Sequence, residues 1–596
     1  MDWQADLLTS ALWIAKAYVI TLLFSAVIGW VVVRFTHWGR QFWQLSAAYF
    51  LSRKSWRVWL GVLFILLLTL TAVRIDVLFS NWYNTMYSAL QKLDERAFWA
   101  AMVLFGVLAT IHVLRSLLDF YVQQAFIVHW REWLNERLLS RWLEKQAYYR
   151  SLSLSHLADN PDQRIQQDIT SFATSSLTLA VGVINSLVSM VAFTVILWNL
   201  SGPLEVFGHE IPRAMVFLVF IYVFIATVFA IWIGKPLIRL NFLNEQLNAD
   251  YRYALVRIRE YAESIAFYRG ERVEGSDLRG RFARVIGNAW DIIYRSLKFL
   301  GFNFGVSQAA VVFPFIIQAA RFFSKHITLG DLIQTAQAFG QLQGNLSFFR
   351  NIYDQFAGYR ATLDRLTGFN DVVDRARATP MPTARQEGER LALENVTVAR
   401  PDGMVLLNDV NLEVVPGQPL LVRGPSGAGK TTLLRMIAGI WPYGSGTIVR
   451  PEASSLFLSQ KPYIPLGTLR EALHYPNPID PTTSSGDAAM LQLVQLGHLQ
   501  DKLDQRDDWG RILSLGEQQR LAFGRLLLAQ PSAAFLDEAT SAMDEGLEDA
   551  MYRLLRERLP ATRIVSVGHR STLRRYHGEE LILQGSGAWA LEAIAA

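Results

Sequence analysis

Two architectures in series are predicted by this sequence: a bundle of membrane-spanning α-helices up to about residue 371, then an α/β domain built around a glycine-rich loop. Three observations carry that prediction. Apolar blocks long enough to cross a bilayer crowd into the first 350 residues. No such block follows them. From residue 391 onward, short β-rich runs such as LALENVTV, PLLVRG, SSLFLS and AAFLDE alternate with helical ones, as in an α/β domain.

Composition agrees. A chain of 596 residues is too long for one compact core. Its content is 51% hydrophobic and 18% charged, whereas soluble domains carry about 25% charged residues. The net charge of +5 is small for this length and offers no case for nucleic acid. Loops facing an anionic inner leaflet explain much of the basic content. With no cysteine, disulfides, thiolate metal sites and cysteine nucleophiles are excluded. The opening MDWQADLLTS is acidic and no A-x-A pattern closes the first apolar stretch, so a retained helix is expected rather than a cleaved signal.

A helix requires about 20 mostly apolar residues to cross the hydrocarbon core. Spans are expected at 12–35, 57–79, 98–119, 174–198, 213–233 and 298–322, with a more polar seventh at 328–350. Basic loops set the orientation. Arg34, Arg40, Arg53, Lys54 and Arg57 separate the first two spans; Arg131, Arg137, Arg141, Lys145 and Arg150 follow the third; Lys235 and Arg239 follow the fifth. All three groups read as cytoplasmic, and the mixed loop NWYNTMYSALQKLDER as external. Seven crossings then place everything after residue 350 in the cytoplasm. The stretches 120–173 and 234–297 are rich in helix formers and charge, and read as helical extensions of the spans into the cytoplasm. Such faces are either plainly solvated or have tips that reach the domain beyond residue 391 and carry its motion to the membrane.

The last span holds Gln334, Gln337, Gln341 and Asn345 within about 80° of one helix face. Lipid cannot satisfy their hydrogen bonds, so they must face other helices or water. Two readings stand open: interhelical glue, or the lining of a water-filled translocation path. Gly340 and Gly344 form a small-xxx-small pair that lets a neighbouring helix approach. Arg115 and Asp119, one turn apart, read as a structural pair near the inner interface. Residues 372–390, VVDRARATPMPTARQEGER, are polar, contain proline and lack a period, which suits an exposed connector between domains 1–371 and 391–596.

Gly424–Thr431 reads GPSGAGKT and matches G-x-x-x-x-G-K-[ST], between the strand PLLVRG and the helical TLLRMIAGI. Glycines let backbone N–H groups turn inward and cradle phosphate oxygens beside a positive helix N-terminus. The expected ATP contacts are Gly424, Pro425, Ser426, Gly427, Ala428, Gly429, Lys430, Thr431 and Thr432. Lys430 is expected to reach the β- and γ-phosphates, and the Thr431 hydroxyl to bind Mg²⁺. Downstream, AAFLDE is a buried strand ending in two carboxylates, Asp537 suited to Mg²⁺ and Glu538 to orienting the attacking water.

Between them lies LSLGEQQR (Leu513–Arg520), which resembles the signature sequence of ABC ATPases. The flanking pieces resemble that family in order and spacing. Gln460 in LFLSQKPY looks like the Q-loop glutamine, which in this family senses Mg²⁺; Ser541–Asp544 like the D-loop; and His569 in VSVGHR like the switch histidine on the γ-phosphate. The resemblance implies Glu538, His569 and Gln460 as the catalytic set, and Thr431, Gln460 and Asp537 around Mg²⁺. Ser514, Gly516 and Glu517 would meet the ATP held by a second copy. Leu515 stands where the family has glycine, and no aromatic residue stands near Ala399–Arg400 to stack on adenine, which leaves Arg400 as the candidate there. In this family each ATP lies between two cassettes, so one cassette per chain implies a homodimer.

NPDQRIQQD (Asn160–Asp168), REYAESIAFYRGE (Arg259–Glu271) and IAGIWPYGSGTI resemble one branch, that of the peroxisomal fatty-acyl transporters of subfamily D and the bacterial BacA/SbmA-like transporters that carry their own cassette. That resemblance implies an exporter-type ABC fold with six core helices over 57–350 and an extra N-terminal helix at 12–35. It implies an ATP-driven transporter in a bacterial inner membrane, with ATP and Mg²⁺ as cofactors. The partners implied are a second copy, membrane lipids and a transported solute, with no nucleic acid. Uptake of peptides, cobalamin or similar bulky hydrophilic compounds is the favoured reading. Fatty-acyl or lipid transport and an ATP-gated channel are the alternatives. A soluble ABC ATPase is ruled out by the spans.

Overall fold

The computed structural model describes residues 3–52, 55–153, 161–206, 209–452, 454–479 and 486–594. Arg53, Lys54 and Asn160 lie outside the described residues. The chain divides into two compact units, Met1–Ser140 with Asp159–Asn370, and Arg141–Ala158 with Asp371–Ala596.

The first unit is helical: α1 (Trp3–Phe35), α2 (His37–Leu51), α3 (Trp56–Gln91), α4 (Glu95–Leu143), α5 (Ile169–Leu200), α6 (Ala214–Glu260), α7 (Glu271–Phe323), α8 (Leu329–Asn351) and the start of α9 (Tyr353–Ala378). Segments in α1, α3, α4, α5, α6 and α7 are long and apolar enough to cross a membrane among the described residues. The polar α8 completes the six-helix core, and α1 is the additional N-terminal helix. Helices α4, α6 and α7 contain 49, 47 and 53 residues. At 1.5 Å per residue each is about 70–80 Å long, more than twice the hydrocarbon thickness, so they continue well past the bilayer. Of the stretches expected as helical extensions, 120–173 and 234–297, residues 120–143, 234–260 and 271–297 are therefore ends of spanning helices, and Ala262–Tyr268 forms a separate short helix.

A helix lies where the sequence suggested only a basic loop. Thr36 caps α2 by accepting from the Gly39 N–H at 3.1 Å. The helix buries Leu45 and Tyr49 against Trp130, Leu134, Phe172 and Leu363, with Tyr49 stacked on Trp130 at 5.9 Å. Its buried Gln41 amide donates to Asp364 at 2.7 Å and to Thr367 at 3.1 Å. Deeper in the bundle, Val77, Phe193, Val219, Phe339 and Leu342 form a second apolar cluster from α3, α5, α6 and α8.

The second unit is α/β. Strands β1 (Thr383–Gln386), β2 (Leu391–Ala399), β3 (Val405–Val414) and β5 (Gly444–Arg450) form a four-stranded sheet in the order β1-β5-β2-β3. Strands β4 (Leu420–Arg423), β6 (Ser455–Leu458), β7 (Ala533–Asp537), β8 (Arg563–Val567), β9 (Glu579–Gly585) and β10 (Ala588–Ala593) form the other, in the order β10-β9-β4-β8-β7-β6. All of its pairings are parallel except β9–β10. Alternate residues serve its two faces, as a pleated strand requires. Leu420, Val422, Phe535 and Val565 join the cluster with β2 and β3, whereas Leu421, Leu536 and Ile564 join Trp509, Phe523 and Leu555 on the helical side.

The connector expected at 372–390 is corrected. Helix α9 runs on to Ala378, with Val372, Val373 and Ala376 buried, and Thr383–Gln386 pairs with β5 as an edge strand. Every residue of β1 is exposed, so a polar composition that read as linker belongs to a solvated edge.

Candidate functional site

The loop after β4 turns where a side chain would not fit. Gly424 has φ +151°, and a Cβ there would lie 2.5 Å from the Leu583 carbonyl oxygen. Gly427 and Gly429 follow at +82° and +101° before the helix α10 (Lys430–Ile437) begins. Ser426 and Ala428 fall within this loop, Ala428 buried, and Thr432 in the first turn of α10. The Lys430 ammonium donates to the Gly424 and Pro425 carbonyls at 2.9 and 3.0 Å. Burial pushes its pKa below the ordinary lysine value, with Glu538 and Asp537 pulling the other way.

Both carboxylates at the end of β7 face this loop. Thr431 Oγ1 donates to Asp537 Oδ1 at 3.2 Å. Burial pushes the Asp537 carboxyl above the usual carboxylate range; the Thr431 hydrogen bond lowers it and the adjacent Glu538 raises it. Glu538 turns out of the strand in a left-handed conformation, φ +48°, held by its N–H to the Val567 carbonyl at 3.0 Å. Such a non-glycine conformation costs on the order of 1–3 kcal/mol and persists where the surroundings over-determine it. Its Oε2 accepts from Gln460 Nε2 at 3.0 Å, and its Oε1 lies 3.2 Å from His569 Nε2. Lys430, Thr431, Asp537, Glu538, Gln460 and His569, scattered over some 140 positions, are thereby linked in one place.

Gln519 is part of this arrangement and was missed in the sequence. Fully buried on α11 (Leu515–Ala529), it donates to the Gln460 carbonyl at 2.8 Å and to Ser541 Oγ at 3.1 Å, and accepts from the Ala542 N–H at 3.0 Å. One amide thus fixes three segments. The doubled glutamine of LSLGEQQR was its only signal.

Ser514 caps α11 in a reciprocal box with Glu517. The Ser514 N–H and Oγ donate to Glu517 Oε2 at 2.9 and 2.8 Å, and His498 Nε2 lies 3.1 Å from Oε1. Burial opposes ionisation of Glu517, but these bonds outweigh it and hold the carboxyl below its usual range. The Glu517 carboxylate is therefore engaged by its own helix cap. Gly516 lies close under the Ala542 carbonyl, 2.9 Å from where a Cβ would be. Arg400 is exposed and paired with Asp402 at 3.3 Å.

In the helical unit the polar face of α8 divides. Gln334 is buried and hydrogen-bonded at both ends of its amide: its Nε2 donates to Asn81 at 2.9 Å and its Oε1 accepts from Asn84 at 2.7 Å. Asn345 turns back to the Gln341 carbonyl at 2.8 Å. Gln337 and Gln341, by contrast, line a cavity of about 600 Å³ with Asp76, Ser80, Tyr83 and Phe105. Asp76 and Ser80 were not singled out in the sequence, because a single acid in an apolar run leaves no periodic trace. The Arg115–Asp119 pair is present at 3.5 Å, with Arg115 also donating to the Leu68 carbonyl.

Residues 45–323 match the family described as ABC transporter transmembrane region 2, and residues 407–541 match the family described as ABC transporter. An uncharacterized ABC transporter ATP-binding protein of Haemophilus influenzae is 51% identical over 99% of this chain and 100% of its own. The chain belongs to the ABC transporter family. As an ABC transporter with its membrane and ATPase domains fused, it is an integral membrane protein that couples ATP hydrolysis to transport. The human lysosomal cobalamin transporter ABCD4 is 29% identical over 91% of this ABC transporter and 94% of its own length. A solved bacterial Atm1-family ABC exporter with ATP bound shares the fold, with a TM-score of 0.69 over 88% of this chain and 93% of that one at 19% identity.

Proposed function

We propose that this ABC transporter works as a homodimer in a bacterial inner membrane, using Mg²⁺ and ATP to take up a bulky hydrophilic solute such as a peptide or cobalamin. The observation that carries the ATPase assignment is the convergence of Gln460 and His569 on the two oxygens of Glu538, beside the Thr431–Asp537 pair. The donor set fits a hard divalent cation: a hydroxyl oxygen and a carboxylate oxygen 3.2 Å apart, with the carboxyl held in a site where burial disfavours its charge. Thr431, Asp537 and Gln460 hold that cation. Bound Mg²⁺–ATP supplies the phosphoanhydride whose cleavage provides the free energy.

Lys430 leaves the Gly424 and Pro425 carbonyls and reaches the phosphates, while N–H groups between Gly427 and Thr432 line the anion site. A Glu538 oxygen orients the attacking water and accepts its proton. His569 steadies that carboxylate and faces the terminal phosphate. Ser514 and Gly516 complete the site held by the other copy, Glu517 acting through Ser514. The support for two copies is one cassette per chain and the exporter fold. Arg400 is the candidate for the adenine contact. The cavity lining supports a hydrophilic solute: beside Phe79, Phe105 and Phe193, the side chains of Asp76, Gln337 and Gln341 offer hydrogen bonds that an acyl chain cannot use. The lysosomal relative's name supports cobalamin as one candidate, and a bacterial relative matching over the whole chain supports the inner membrane.

In proteoliposomes, Glu538→Gln is expected to bind ATP, lose at least about 100-fold in steady-state hydrolysis and accumulate no solute. Normal turnover by that variant would show the water-orienting carboxylate to be elsewhere. ATP-driven accumulation by the unaltered protein separates a pump from a gated channel, which concentrates nothing.

A further inference from the structure

One buried acid of the cassette takes no part in the proposed chemistry. Glu548 lies in the first turn of α12 (Glu545–Arg558), a helix that Asp544 caps by accepting from the Leu547 N–H at 2.8 Å. An acid in that position is favoured by the helix dipole and needs no burial. Glu548 is nevertheless only 2% exposed. Burying a carboxylate is costly unless donors meet it, and here they come from two separate segments. Thr540 Oγ1 donates to Oε2 at 2.7 Å and Thr572 Oγ1 to Oε1 at 2.8 Å, while Arg570 Nη1 donates to Oε2 at 3.4 Å.

Where those segments begin decides what the acid can do. Thr540 follows Glu538 closely, in a turn closed by the Ser541 N–H on the Glu538 carbonyl at 3.0 Å. Arg570 and Thr572 follow His569, where the chain leaves β8. Glu548 thus ties together the continuations of the two residues whose side chains meet at 3.2 Å. Arg570 also donates to the Ser541 carbonyl at 3.5 Å, a direct contact between the same segments. Gln519 holds the Glu538 side independently, through Ser541 Oγ and the Ala542 N–H. The far end of the His569 side is likewise held without Glu548, by Arg574 donating to the buried Glu580 at 2.9 and 2.6 Å. None of the three donors to Glu548 belongs to the Gly424–Thr432 loop. Helix capping or packing alone would not require donors drawn from both segments.

We propose that Glu548 is a positioning residue for hydrolysis: by joining Thr540 to Arg570 and Thr572 it sets how Glu538 and His569 face each other. It rests on the roles proposed above for those two side chains. Glu548 itself meets neither nucleotide nor water in the reaction; it acts through the chain on either side.

The test measures kcat and KM for ATP hydrolysis, with the melting temperature, on the full-length protein in detergent. Glu548→Gln keeps the side chain's shape and is expected to lower kcat by about 10–100-fold. KM for ATP is expected to stay within about twofold, because the phosphate loop is not touched. Thr572→Val, the milder change, is expected to lower kcat severalfold at the same KM. Added to Glu548→Gln it is expected to cost less than about twofold more, since both cut one link. Leu555→Ala removes core packing from the same helix and is expected to lower the melting temperature while kcat stays near the unaltered value. An unaltered kcat in Glu548→Gln, or a kcat loss in Leu555→Ala as large as in Glu548→Gln, would overturn the proposal and leave the catalytic assignment standing as long as Glu538→Gln is inactive. Normal turnover in Glu538→Gln would overturn both.

Discussion

The ATPase site and the polar cavity in the membrane bundle gather polar side chains in opposite ways. In the cassette each carboxylate is engaged by another side chain. Glu538 is met at both oxygens, Asp537 by Thr431, and Gln519 ties the three supporting segments together. In the bundle, Gln334 is engaged at both ends of its amide, but Gln337 and Gln341 line open space, and the buried Ser80 hydroxyl has no hydrogen-bond partner among the described residues. One chemistry is performed at the first site, so its groups are fixed in advance. Under the proposed function the bundle cavity must both accept and release solute, which suits groups left uncommitted.

The largest expected break in that contrast comes from Asp537→Asn. Hydrolysis is expected to fall at least about 100-fold. The same change is expected to raise the melting temperature of the nucleotide-free protein. Asp537 has a raised pKa, so the stability it contributes is present while it is protonated and lost as pH rises through its folded value; at neutral pH its charge is a cost that asparagine lacks. A lower melting temperature would contradict this account of the site.

His577 sharpens the comparison through pH. Burial holds this histidine neutral and lowers its pKa to about 4, while Nδ1 donates to the Leu573 carbonyl at 2.7 Å. The lowered value means its stability is fully present above about 6.5 and lost as pH falls towards about 4, a change on the order of 3 kcal/mol. Thermal melts from pH 7 to pH 4.5 are expected to show this loss, and His577→Phe to flatten it. In the bundle, Gln334→Leu takes from Asn81 Oδ1 its donor and from Asn84 one of its acceptors, Asp331 remaining, and is expected to cost about 1–3 kcal/mol, measured by thermal denaturation in detergent. Gln337→Leu and Gln341→Leu are expected to be milder for the fold: melting temperature and basal hydrolysis stay near the unaltered values while relative transport of different solutes shifts severalfold. Transport unchanged in both would assign them to helix packing. The smallest effect is expected from Glu517→Ala, about 1 kcal/mol from loss of the cap on Ser514.

What could be read in the sequence follows the same division. The spans were legible because bilayer thickness imposes a length, and the cassette because phosphate chemistry imposes residue types at fixed spacing. Gly424–Thr431, Asp537, Glu538 and His569 therefore stood out, and the structure brings them together. Helix α2 was hidden because its apolar side faces Trp130 and Phe172, contributed by helices far along the chain. Strand β1 was hidden because an exposed edge requires no apolar alternation. Gln519 and Asp76 act through neighbours distant in sequence, and no local period announces them. The amide face of α8 is visible in the sequence as a stripe, but only tertiary contacts divide it into a hydrogen-bonded residue and two that line a cavity.

If Lys430 takes the proposed phosphate-binding role, the position of its ammonium bears on ATP affinity. With its protons on the Gly424 and Pro425 carbonyls, the side chain occupies its own loop and helps hold that loop in shape before any anion arrives. An incoming phosphate therefore exchanges partners with the lysine instead of ordering a floppy segment, so less entropy is lost on capture. Association becomes a swap, and the swap is reversed when product leaves.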